Sequence, residues 1–293
     1  MAYDRLLDVP WHSYRIWAGT ARFLKDDLSR WTRYTLWLAI AGAVLAAVGQ
    51  ELSKWPRPAK GASLLAAFAV ALSAYFGKEA LTGSKTSDWV KARSAAESLK
   101  SAIFLYRASA TPFDAADREK TLLDTVKAIE ERVGSIQARP APDDKADPDL
   151  EPLTVDGYIV KRVNDQIAYY DRRSGEYQKK NDMLRDATFW LGAASVLLAL
   201  ISSFGVVPAL VGLIATLTAS LSAHAQSQQY QTLIVTYQST SRRLVALKGA
   251  WDASHKTDAD TADRNAFIRS CEDTLALENG AWSGVWLPQK PAA

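Results

Sequence analysis

Four stretches of this chain carry no charged side chain, and they constrain its fold more than any other feature. They are Tyr34–Val48, Gly61–Gly77, Ala187–Val207 and Pro208–Ala223. A helix needs about 20 apolar residues, with a range near 17–25, to cross the hydrocarbon of a bilayer. The second and third runs meet that length. The first and fourth reach it once flanking Trp, Tyr and Gln residues are placed in the interface. The runs are apolar on all faces, whereas a helix of a soluble bundle shows one apolar stripe beside a polar one. Trp31, Trp37, Trp55, Tyr75 and Trp190 lie at or near run ends, where an aromatic ring bridges hydrocarbon and water. The expected fold class is all-α, a membrane protein with four transmembrane helices in two hairpins and a cytoplasmic helical region. The mean hydropathy of -0.12 looks soluble only because it averages over strongly segregated segments.

Flanking charge sets an expected orientation. Arg15, Arg22, Lys25, Arg30 and Arg33 precede the first run. Lys78, Lys85, Lys91 and Arg93 follow the second, and Lys179, Lys180 and Arg185 precede the third. Positive residues favour the cytoplasmic side, so both termini and the central region are expected inside. The short connection from Phe204 to Pro208 is uncharged and suits the outer side. Lys54, Arg57 and Lys60 on the first connection oppose this orientation but are outnumbered. The expected organisation is an amphipathic cytoplasmic arm (1–33), a first hairpin (34–77), a cytoplasmic helical sensing region (78–186), a second hairpin (187–223) and C-terminal cytoplasmic helices (224–293).

The polar regions read as helical. Trp89, Ala92, Ala96, Leu99, Ile103 and Tyr106 recur at steps of three or four, and Thr111-Pro112-Phe113 ends that helix. Asp114 is placed to cap a second helix through about Val133. Residues 134–153 form a polar, proline-rich linker. Thr154 opens a long helix carrying Tyr158, Val163, Ile167 and Tyr170, with only Gly175 as a breaker before the third run. The fourth run continues without a proline into another helix, and a last helix spans roughly Asp258 to Trp282. The two halves echo each other in this order of elements, which predicts an internal repeat.

Enzymatic chemistry finds little support. There is no GxGxxG and no P-loop, and the three histidines lie far apart. Cys271 is the one cysteine and has no histidine near it in sequence, so a buried helical thiol is expected. No catalytic residue, metal site or cofactor is assigned. Asp114/Asp117 and Asp258/Asp260/Asp263 read as helix starts.

Specific residues carry a family resemblance. Trp89, Arg93, Glu97, Leu99, Lys100, Tyr106, Pro112 and Phe113 resemble the helix after the first hairpin of SLATT-domain proteins, the SMODS- and SLOG-associating two-transmembrane effectors. Tyr158, Arg162, Gln166, Tyr169, Tyr170 and Asn181 resemble the helix before their second hairpin. The segment ENGAWSGVW, from Glu278 to Trp286, resembles their terminal E-N-x-x-W. The resemblance covers nearly the whole chain. It implies a membrane effector of bacterial anti-phage defence, in the inner membrane, that acts as a signal-gated pore and kills the host by leakage. A nucleotide or short single-stranded oligonucleotide made by a partner nucleotidyltransferase, which suits the chain's basic and aromatic clusters, is the expected signal, opening the pore or holding it closed.

The residues can be read against that expectation. Gly212, Thr216 and Ser220 are spaced by four, with Ser227 further on, and are candidates to line a water-filled path. The competing role for such small residues is close helix packing. Four helices are too few to enclose a wide pore, so conduction requires a cyclic homo-oligomer such as a tetramer, held in membrane lipid. The runs hold no Asp, Glu, Lys or Arg, which argues against an ion-coupled transporter. Candidate phosphate and base contacts are Arg93, Lys100, Tyr106 and Arg107 on one helix, Lys161, Arg162 and Tyr169 on the next, and Arg242, Arg243 and Lys248 in the second half. Glu97 pairing along the helix, or contacts to anionic headgroups, would explain the same charges. The alternative to a pore is a non-conducting scaffold that recruits a cytosolic partner.

Overall fold

The computed structural model describes residues 2–80, 83–140, 150–202, 208–254 and 260–286. The connection around Phe204–Val207, residues 141–149 of the proline-rich linker, His255 and Asp258 lie outside them. The described residues are helical, with no strand among them. The helices are α1 (Ala2–Glu51), α2 (Pro56–Ala80), α3 (Gly83–Arg107), α4 (Arg118–Val133), α5 (Val155–Tyr158), α6 (Asp165–Ser202), α7 (Pro208–Ser227), α8 (Tyr230–Ser254) and α9 (Thr261–Trp286). A six-residue π-helical segment, Ile159–Asn164, joins α5 to α6. Residues divide into two units. The first holds 1–25, 83–175 and 232–293, and the second holds 26–82 and 176–231.

The second unit contains the apolar runs. Among the described residues, three helical segments are long and apolar enough to cross a membrane: Leu6–Lys54, Pro56–Glu79 and Val155–Leu200. Small residues let α1 and α2 approach closely. A Cβ on Gly42 would meet Val70 Cγ2 at 2.8 Å, and one on Gly49 would meet Ser63 Oγ at 3.0 Å. Ser73 Oγ donates to the Thr35 carbonyl at 2.9 Å. The partner number falls as the α1 number rises, so the two helices run antiparallel. A hydroxyl bonded to backbone costs little in hydrocarbon, and glycine allows the contact that bulky side chains prevent. Trp31 and Phe76 meet with centroids 5.2 Å apart at the charged end of this pair.

The first unit holds a shared apolar core. In α4, Leu122, Val126, Ile129 and Val133 are buried at the spacing of one helix face. They join a core containing Leu99, Ile103, Tyr106, Phe113, Tyr158, Val163, Tyr237, Leu244 and Ile268. Cys271 is buried, in agreement with the expected helical thiol. The linker is tied at both described ends. Arg139 N–H donates to Thr20 Oγ1 at 2.9 Å, with its guanidinium 4.1 Å from the Phe23 ring. Leu150 is buried, and Leu153 N–H donates to the Arg107 carbonyl at 2.8 Å.

Three local expectations need correction. The helix after the first hairpin ends at Arg107, before Pro112, because Ser109 takes a left-handed φ of 49° and Ala110 N–H closes on the Leu105 carbonyl. Asp114 does not cap α4. Its carboxylate accepts from Thr111 Oγ1 at 2.7 Å and Asn265 Nδ2 at 3.1 Å, and α4 begins at Arg118. The fourth run does not continue unbroken, since Gln229 at φ 51° separates α7 from α8. Thr154 does open its helix, accepting from Gly157 N–H at 3.1 Å.

Candidate functional site

On α3, Arg93, Glu97, Lys100, Phe104 and Arg107 recur at steps of four and three, which places them on one face. That face looks into the first unit, where charges normally cannot stay unless paired. Partners come from α9, from the π-helical segment, from α6 and from the linker. The residues form a polar spine inside an otherwise apolar bundle.

Its tightest part is a Tyr–Glu–Arg cluster. Arg162 is 1% exposed, and it reaches Glu272 of α9 through Nε at 2.9 Å and Nη2 at 3.0 Å. Tyr158 O–H donates to the same carboxylate at 2.9 Å. Burial would push the Glu272 carboxyl up, but the Arg162 charge and hydrogen bonds from Arg162, Ser101 and Tyr158 hold it below the usual carboxylate range. A bidentate, charge-assisted pair is the strong form of this interaction. The guanidinium also lies 5.0 Å from the Phe104 ring. The π-helical segment is what aims it. An extra residue in the turn shifts the side-chain register by about 100°, and such turns often mark functional places.

The second cluster repeats the chemistry more loosely. Glu278, further along α9, accepts from Tyr170 O–H at 3.3 Å and faces Arg93 Nη2 at 3.5 Å. Here burial wins and raises the Glu278 carboxyl above its ordinary range, with Arg93 opposing and Glu97 adding to the rise. Tyr170 and Tyr169 also pack on Tyr237 of α8, at 5.3 and 6.3 Å. Asn279 Nδ2 reaches Ser94 Oγ at 3.3 Å. Between the clusters stands Lys100. Burial, then the nearby Arg162 charge, lowers its ammonium from the ordinary range, against the pull of Glu97, Asp165 and Glu272.

The sequence-derived ligand residues fall into three groups. Arg162, Arg107 and Tyr106 are in the core. Arg107 Nε donates to the Glu151 carbonyl at 2.9 Å, and Tyr106 lies under the Arg118 guanidinium at 4.1 Å. Arg93, Lys100 and Tyr169 are half-buried within or beside the spine. Lys161, Arg242 and Arg243 are exposed, and Lys248 is half-buried and pairs with Asp252 at 2.8 Å. In the second unit, Gly212 and Thr216 are exposed, Ser220 is half-buried and Ser227 is exposed. Thr216 donates to the Gly212 carbonyl and Ser227 to that of His224, each at 2.8 Å. Sequence reasoning missed Glu272, Glu278 and Tyr158 as members of a site. The signal was present: both glutamates sit on the face of α9 that carries Ile268, Cys271 and Leu275, where only apolar residues are expected.

Two family models match the chain. Residues 22–151 match the SMODS and SLOG-associating 2TM effector domain 3, and residues 158–282 match the SMODS and SLOG-associating 2TM effector domain 1. No curated protein and no solved structure is significantly similar. Glu272 and Glu278 lie inside one match and Arg93 inside the other, so the spine joins residues of both. Such domains are membrane effector domains linked to anti-phage defence. With two of them in tandem along nearly its whole length, this chain belongs to the SLATT family of SMODS- and SLOG-associating 2TM effector proteins.

Proposed function

We propose that the tandem effector domains make four membrane crossings as two hairpins, with α7 as the fourth, and assemble as a cyclic homo-oligomer around an ion-conducting pore. The membrane is the bacterial inner membrane, with both termini in the cytoplasm. The observation that carries this reading is how little the apolar helices cover one another. Within the three most apolar windows only 11%, 17% and 6% is buried by the chain itself. Lipid and neighbouring copies are the available cover. The stripe Gly212, Thr216 and Ser220 on α7 supplies the polar face, because the Thr216 hydroxyl, already bonded to the Gly212 carbonyl, still offers a lone pair to water. The lack of charge in the runs favours passive leakage over pumping.

Gating follows from the first unit. Lys161, Arg242 and Arg243 are exposed and suit the phosphates of a nucleotide or short single-stranded oligonucleotide, with Tyr169 as a stacking face. Arg107 and Arg162, held in the core, act as internal struts. The loose Arg93–Glu278 contact is the part of the spine most easily re-paired when a polyanion binds.

Potassium-loaded vesicles carrying the purified chain test this. Flux that changes on addition of a cyclic or linear oligonucleotide is expected, with a response weakened by added salt and by Arg242→Ala with Arg243→Ala. Vesicles that stay tight under all these additions overturn the pore and leave the scaffold role.

A further inference from the structure

The two buried glutamates of α9 are held to very different degrees. Glu272 accepts hydrogen bonds on both oxygens, at 2.9, 2.9 and 3.0 Å. Glu278 is 5% exposed, yet its Oε1 accepts no hydrogen bond. Its Oε2 takes one long bond from Tyr170 O–H at 3.3 Å, and Arg93 Nη2 stands 3.5 Å from Oε1. A charge-assisted bond between such groups is normally about 2.7–2.9 Å. The guanidinium is also shared, because Glu97, one turn along α3, acts on Arg93 as well. Among the described residues, the groups that face Glu278 are Arg93 and Glu97 from α3 and the Tyr170 hydroxyl from α6, with Tyr237 of α8 packed on Tyr170.

A buried carboxylate with an oxygen that lacks a donor carries a desolvation cost. Two changes relieve it. A proton can neutralise the group where it lies, or the end of α9 can leave and let water solvate the ion. Leaving therefore releases a proton. Its equilibrium constant rises with pH, by up to about tenfold per unit, between the exposed carboxyl value near 4.3 and the higher value of buried Glu278. Glu272 sits six residues earlier, and its tight pair with Arg162 keeps that part of the helix pinned. Arg93 belongs to the first matched effector domain, whereas Glu278 and Tyr170 belong to the second. What loosens with rising pH is thus a contact between the two domains.

We infer that Glu278 is a proton-operated lock between the two effector domains: protonated, it keeps the end of α9 on α3 and α6, and ionised, it lets that end go while Glu272 holds the rest. Hydrogen–deuterium exchange of the full chain in lipid nanodiscs, corrected for the intrinsic pH dependence of amide exchange, tests it at about pH 5 and about pH 7.5. The peptide from Glu278 to Trp286 should exchange about tenfold more slowly at the acid pH, and the step should be confined to it. Glu278→Gln is neutral at both pH values and should show the slow rate at both. Glu97→Gln removes the like charge and should move the midpoint of the step to lower pH. No step, an equal step in every peptide, a step that survives Glu278→Gln, or a midpoint unmoved by Glu97→Gln overturns the inference. So does a Glu278→Gln chain that fails to fold, because a neutral side chain is what the lock holds best.

Discussion

At the residue scale, the two glutamates of α9 have similar partners and opposite electrostatic fates. Glu272 takes two hydrogen bonds from Arg162 and one from Tyr158, and the ion pair outweighs burial. Removing one partner of a buried pair strands the other and costs about 3–5 kcal/mol. Glu272→Ala should therefore lower stability by that amount in denaturant unfolding, while Lys161→Ala, on the exposed neighbour, should change it by less than about 0.5 kcal/mol. Replacing Arg162 and Glu272 with Met and Tyr158 with Phe should recover most of the loss, because neither a charge nor the Tyr158 hydroxyl is left buried without a partner. The pH dependences differ in sign. A depressed carboxyl contributes stability above its unfolded value of about 4.3, and that contribution is lost as pH falls through the folded value. Glu278 is raised, so the folded state holds its proton more tightly and stability should climb as pH falls from neutral toward about 4.3. Glu278→Gln should flatten the melting-temperature profile on the neutral side of about pH 4.3, and Glu272→Gln on the acid side. Profiles that respond to the two variants in the same direction would contradict the assignment.

At the element scale, the π-helical segment Ile159–Asn164 and the glycines of α1 are the features on which packing turns. The segment faces Arg162 toward Glu272 while Tyr158 approaches the same carboxylate from the preceding turn. Deleting exposed Val160 should restore an α-helical register, shift Tyr158 against Arg162 and lower the unfolding midpoint. In α1, Gly42→Leu should separate α1 from α2, since even a Cβ would meet Val70 at 2.8 Å. A shift in disulfide or crosslink yield between cysteines placed at Thr35 and Ser73 would report it. Much at this scale is legible in the sequence. Apolar periodicity located α3, and Thr154 marked its helix start. What was not legible depends on contacts distant in the chain. Asp114 looks like a cap but is drawn to Thr111 and to Asn265, a residue far along the chain on α9. Arg162 and Arg107 look like surface phosphate ligands because basic residues usually are. Their partners, the buried Glu272 and the Glu151 carbonyl, lie on other elements. A π-turn has no sequence signature, so the register that buries Arg162 could not be counted from the spacing.

At the scale of the whole molecule, the proposals depend on how many times the chain crosses the bilayer. Single-cysteine labelling measures this directly. Cys271 is buried, and burial pushes its thiol up to about 12, so it should be silent toward maleimide and dispensable as Cys271→Ser. In that background, cysteines at Ser53 and Gly205 mark the two short connections, and cysteines at Asp124 and Ala246 mark the polar helices α4 and α8. On intact cells an impermeant maleimide should label positions 53 and 205, and should reach 124 and 246 only after the membrane is opened. Labelling of 53 without 205, or of 124 and 246 from outside, would contradict four crossings with both termini in the cytoplasm.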